Sequence, residues 1–156
     1  MVVGKPLAFF VTGLSALWAM SGLYRPDGEL KAYRLWPVFG LIGFLAVGIV
    51  IEWTSLGSDE VVTRLHDPIL TCFVTILSGG AVGFAVLWAF WLRRAASAYP
   101  AVFGALSGLM CASFMASAYA LHCDRDAPIY ILTYYGLAVA VFAGLAGLLG
   151  RTVLKW

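Results

Sequence analysis

Five stretches of almost unbroken apolar sequence leave this chain few ways to fold: Leu7–Leu23, Leu35–Trp53, Ile69–Leu92, Ala101–Leu121 and Ile129–Gly150. Each comes close to the roughly 20 residues that a helix needs to cross about 30 Å of hydrocarbon. A water-soluble domain of this length would need polar side chains to cover its surface. Here 62% of the 156 residues are apolar and 12% are charged, against about 25% charged in average globular proteins. A net charge of +2 is too small for a nucleic-acid-binding surface. The high mean hydropathy excludes disorder, and three cysteines are too few for a disulfide scaffold. The sequence reads as a single integral membrane domain covering residues 1–156.

Backbone groups in lipid must find their hydrogen bonds within the segment, so the stretches are expected to be helices. Transmembrane strands would show alternating polarity over about ten residues, and none of the five does. The expected fold is an all-α polytopic bundle of five spans. Seven Lys and Arg fall on one side of it: Arg25, Lys31, Arg34, Arg93, Arg94, Arg151 and Lys155. Three fall on the other: Lys5, Arg64 and Arg125. By the positive-inside rule the N-terminus is expected outside and the C-terminus in the cytoplasm. Lys5 is the sole cation ahead of the first stretch, and no small-x-small exit follows it. A retained span is therefore expected rather than a cleaved signal peptide.

Small residues predict close helix packing. Gly104, Gly108, Ala112, Ala116 and Ala120 recur every four residues in the fourth stretch. Gly136, Ala140 and Gly144 repeat the device in the fifth, and Thr75, Gly79 and Gly83 in the third. The same faces would also suit a homo- or hetero-oligomer. The longest connection, Thr54–Asp67, holds Ser58, a candidate N-cap for a brief surface helix through Leu65.

Few residues can carry chemistry. Glu52 lies beside Trp53 at the expected outer interface, and no buried acid, base or charge pair marks an ion pathway. There is no P-loop, GxSxG, HExxH or CxxC motif, so no catalytic residues are expected and the protein is not expected to be an enzyme. Cys111, in mid-helix, reads as a small apolar filler. Cys72 and Cys123 are different. Both lie at about equal distance along the chain from the turn near residue 96, to within three residues, or about 4.5 Å of helix. If the third and fourth helices are antiparallel neighbours, both thiols stand at one depth on the outer side. His66 and His122 approach the same level. Paired thiols there suit redox sensing, and Cys72, Cys123, His66 and His122 together suit a soft metal ion such as Zn or Cu(I).

The last third carries a resemblance. Tyr119-Ala120-Leu121-His122-Cys123, the acidic turn Asp124-Arg125-Asp126, Tyr134-Tyr135-Gly136-Leu137 and the ending Leu148-Leu149-Gly150-Arg151 with Leu154-Lys155-Trp156 resemble the NrsF-like family of negative regulators of sigma F. A cysteine opening the third span, then Leu87-Trp88-Ala89 before the basic pair Arg93-Arg94, extends the likeness from Asp67 to Trp156. Upstream the likeness is one of hydropathy. The resemblance implies a multi-pass protein of the bacterial inner membrane, an anti-sigma factor holding an extracytoplasmic-function sigma factor at the inner face until stress releases it. It makes the periplasmic cysteines, matching Cys72 and Cys123, the sensing groups. Arg25, Lys31, Arg34, Arg93 and Arg94 are then the candidate contacts for the cytoplasmic partner. Two features depart from the family pattern. Five spans stand where six are usual, implying a chain shortened at its N-terminus, and Asp124 replaces the proline that usually follows the motif cysteine. A structural or accessory subunit of a respiratory-type membrane complex, with no sigma-factor partner, is the alternative that composition alone also fits.

Overall fold

The computed structural model describes residues 4–24, 36–56, 70–95, 97–123 and 130–153. Among these residues all regular structure is helical. The helices are α1 Gly4–Ser21, α2 Trp36–Leu56, α3 Leu70–Phe90, α4 Pro100–Ala120 and α5 Leu137–Val153. A 3-10 turn, Leu92–Arg94, follows α3, and a π-helical segment, Ile131–Gly136, leads into α5. The first helix starts at Gly4 rather than Leu7, and the second runs to Leu56 rather than Trp53. Among the described residues three segments are long and apolar enough to cross a membrane: Thr71–Arg94, Pro100–Ala120 and Thr133–Val153. They match the third, fourth and fifth of the five expected spans. The expected surface helix from Ser58 to Leu65 lies outside the described residues.

The organising element is α4. It opens on Pro100, whose missing N–H costs nothing in a first helical turn. It packs most extensively on α5, then on α1, then on α3. Its buried face takes in Gly104, Gly108, Ala112, Ala116 and Ala120, as its spacing predicts. At Gly104 an added Cβ would lie 2.5 Å from the Ala146 carbonyl oxygen and 3.0 Å from the Gly150 Cα. At Gly108 it would run into the Ala146 methyl and lie 3.2 Å from the Ala143 Cα. Glycine is therefore what lets the two backbones meet. Serines on the same helix need partners, and Ser107 finds one by donating to the Phe103 carbonyl at 2.7 Å.

The small residues of the other two helices divide. On α3, Gly79 faces Met115 and Gly83 faces Cys111, so two members of the expected Thr75-Gly79-Gly83 set do meet α4. On α5 the expected set does not form the seam. Gly144 has nothing within 4 Å of its Cβ position, and Ala140 is exposed. The face that meets α4 and its neighbours is Ala138, Val139, Phe142, Ala146, Gly147 and Gly150. Two small-residue rows are available on α5, and spacing alone does not choose between them. The 146/150 row is the one that meets Gly104 and Gly108.

These contacts make α1, α3 and α5 each antiparallel to α4. Ser117 reaches the Pro6 carbonyl while Ser107 meets Met20. Gly79 lies on Met115 and Gly83 on Cys111, and Gly150 lies on Pro100. The starts of α1, α3 and α5 therefore share one end of the bundle with the end of α4. The 3-10 turn, the end of α1 and the end of α5 share the other. Helix α2 rests on α1 and on the π segment, with Trp36, Phe39, Ile42, Val47, Val50, Ile51 and Trp53 exposed.

Candidate functional site: a cysteine–tyrosine–lysine rim

One end of the bundle gathers the groups capable of chemistry. Cys72 sits in the first turn of α3 and is 7% exposed. Its thiol donates to the Tyr119 hydroxyl at 3.5 Å and lies 3.3 Å from the Tyr130 hydroxyl. Cys123 follows the end of α4 and packs, half-buried, against the same cluster. Tyr130 and Tyr135 belong to that cluster. The two thiols, 51 positions apart, thus meet at one group of side chains. Neither is in a disulfide, nor is Cys111 in mid-helix.

The remaining walls are aromatic. Tyr135 is fully buried, its ring 5.7 Å from Phe9, 6.2 Å from Tyr119 and 6.4 Å from Tyr130. The Tyr135 hydroxyl is buried without a hydrogen-bond partner among the described residues. Tyr134 adds a further ring 5.2 Å from Tyr130. The π segment Ile131–Gly136 supplies Tyr134 and Tyr135; π turns of this kind often occur at functional sites.

Lys5 completes the rim, and it is not the free loop cation that the charge count takes it for. It lies in the first turn of α1, 8% exposed. Its ammonium donates to the Cys123 carbonyl at 2.8 Å and stands 5.7 Å from the centre of the Tyr135 ring. Buried cations need such partners.

The other expected site residues fall as follows. His122 is exposed, one residue before Cys123, and its N–H caps the Tyr119 carbonyl at 2.9 Å. Among the described residues no three of His, Cys, Asp and Glu come together as a metal-binding group. His66 lies outside them, as do Arg25, Lys31 and Arg34. Arg93 and Arg94 are exposed in the 3-10 turn, at the opposite end from Lys5. That end is closed by hydrocarbon: Met20, Leu23, Leu92, Ala95 and Phe103 are all nearly or fully buried. Tyr24 stacks on Trp91 beside it at 5.4 Å. Since α4 has 21 residues at about 1.5 Å each, the two rims stand about 30 Å apart.

Sequence reasoning placed the two cysteines at one rim but missed Lys5, Tyr119, Tyr130 and Tyr135 as their surroundings. For Lys5 a signal existed: a lone cation set directly against an apolar run. For the tyrosines the signal was nearness to Cys123 along the chain: Tyr119 precedes it by four residues, and Tyr130 and Tyr135 follow it by seven and twelve.

No curated protein and no solved structure matches this chain. A family model does, and it extends the likeness seen from Asp67 onward to the first half as well. The family NrsF, negative regulator of sigma F, matches residues 1–156, and the chain belongs to it.

Proposed function

We propose that this protein is a membrane-embedded anti-sigma factor that reads thiol chemistry at the Cys72–Cys123 rim and controls a sigma factor at the opposite, arginine-bearing rim. Its family membership supports negative regulation of a sigma factor. The observation that carries the finer reading is the meeting of both thiols at one side-chain cluster at one rim, with Arg93 and Arg94 exposed at the other. In this reading the chain crosses the bacterial inner membrane five times, with its N-terminus outside. The cysteine rim then faces the periplasm, where disulfides form and persist. The sigma factor binds the cytoplasmic side through Arg93 and Arg94, joined by Arg25, Lys31 and Arg34. The protein works without catalysis.

Two stimuli fit the rim. A thiol oxidant would take two electrons as Cys72 and Cys123 lose their protons and join. A soft ion such as Zn or Cu(I) would instead bridge two thiolates, with His122 and His66 as the candidates for completing its shell. Either event ties the start of α3 to the end of α4 and changes how the helices stand at the far rim. A coupling of about 1–3 kcal/mol is enough to alter partner affinity severalfold.

The test is a sigma-dependent transcription reporter in cells carrying Cys72→Ser or Cys123→Ser, challenged with a thiol oxidant. Each variant is expected to lose the response that the native chain gives. Normal switching in both removes the sensing role.

A further inference from the structure

We propose that Lys5 is a positioning residue of the cysteine rim, and that through it α1 carries displacements of Cys123 to the arginine rim. This rests on the sensing role proposed above and names the element that transmits it.

The chemistry of the contact singles out Lys5. The C-terminal end of a helix favours a nearby positive charge, and a buried ammonium needs an acceptor. The Cys123 carbonyl lies three residues past the end of α4, and the Lys5 ammonium reaches it from another helix at 2.8 Å. Lys5 therefore ties the chain leaving α4 to α1 across the bundle. The bond is to the backbone of Cys123 and not to its sulfur. Oxidation or metalation of the thiol leaves the bond's two atoms untouched, so a Cys123 that moves takes Lys5 with it.

A second tie fixes the same turn. The Ser117 hydroxyl, buried on α4, donates to the Pro6 carbonyl at 2.7 Å. The first turn of α1 is thus held on the last turn of α4 at two adjacent residues. From there α1 runs the length of the bundle against α4, with Phe9, Ala16, Ala19 and Met20 all nearly or fully buried. Its far end is seated as firmly. Met20 lies against Ser107, Leu23 is 1% exposed, and Tyr24 stacks on Trp91 two residues before Arg93. A packed helix shifts as a body rather than bending freely. Helix α1 is accordingly a rod with one grip on the motif cysteine and the other on the segment that carries the arginine pair.

The experiment uses the full chain in its own membrane, with two readouts. One is the ratio of sigma-dependent reporter output with and without diamide, an oxidant that accepts the two electrons and two protons of the thiol pair. The other is labelling of Cys72 and Cys123 by a maleimide. In Lys5→Met the ratio is expected to fall by roughly fivefold or more toward unity, while both cysteines still label. Lys5→Arg, which keeps a charged donor, is expected to restore it. Tyr24→Ala, at the far end of the rod, is expected to lose the ratio with the cysteine rim intact, and it decides the matter if Lys5→Met fails to accumulate. A native ratio in Tyr24→Ala, or in a Lys5→Met chain that accumulates, overturns the proposal. A native ratio in Cys72→Ser and Cys123→Ser overturns the sensing role instead, so the two failures are distinct.

Discussion

The two ends of α4 are packed by different means. Around Phe103 the neighbours are Met20, Leu23, Leu92, Ala95 and Leu106, hydrocarbon against hydrocarbon. Around Ala120 they are Cys72, Tyr130, Tyr135 and Phe9, with Lys5 bonded just beyond. The first end is held by shape and dispersion, with the Met20 thioether fully buried. The second is held by groups whose bonds depend on where protons and sulfur electrons are. A bundle of this kind confines direct chemical perturbation to one end, which is what the proposed sensor requires.

Substitutions can break that contrast or sharpen it. The largest effect is expected at the hydrocarbon end. Phe103→Ala removes a fully buried ring and should cost about 3 kcal/mol or more, read as a lowered unfolding temperature of the protein in detergent micelles. Chains that still fold should keep native labelling of Cys123, because the cavity lies at the far rim. Equal disturbance of both rims would mean that the ends are not separate.

Smaller effects are expected at the cysteine rim. The hydroxyls of Tyr119 and Tyr130 both meet the Cys72 sulfur, and either can turn its proton toward the sulfur as that atom reacts in anionic form. Tyr119→Phe and Tyr130→Phe each remove one such donor, so alkylation of Cys72 should slow in both. A bond of about 0.5–1.5 kcal/mol sets each change at roughly two- to tenfold. Rates measured with a small membrane-permeant alkylating agent check this, and faster alkylation in either variant would contradict it.

Much of the fold is legible in the sequence because hydrocarbon thickness fixes helix length. The five apolar stretches locate the five helices, and the rise per residue places Cys72 and Cys123 at one level. Rotation about each helix axis is less visible. A soluble helix shows its buried side by contrast with polar residues, and α4 and α5 are apolar nearly all round. On α5 the spacing pointed to the 136/140/144 row, and the approach of Gly104 and Gly108 selects Ala146 and Gly150 instead. The rim was hidden for a related reason. Lys5, Cys72, Tyr119 and Tyr135 come from four separate segments, and their meeting depends on helix order as well as depth. The cysteines were visible because thiols carry meaning alone, whereas a tyrosine near a membrane boundary has an ordinary explanation as an interfacial anchor.

The claim on which the account turns is that the cysteine rim and the arginine rim face opposite compartments, the first outward. Labelling of intact cells with a membrane-impermeant maleimide tests it most directly, comparing native Cys123 with a thiol introduced by Arg94→Cys in a Cys123→Ser background. The account predicts that Cys123 is modified in intact cells and that the introduced thiol reacts only once the cells are opened. Modification of the introduced thiol in intact cells, with Cys123 protected until lysis, would contradict it.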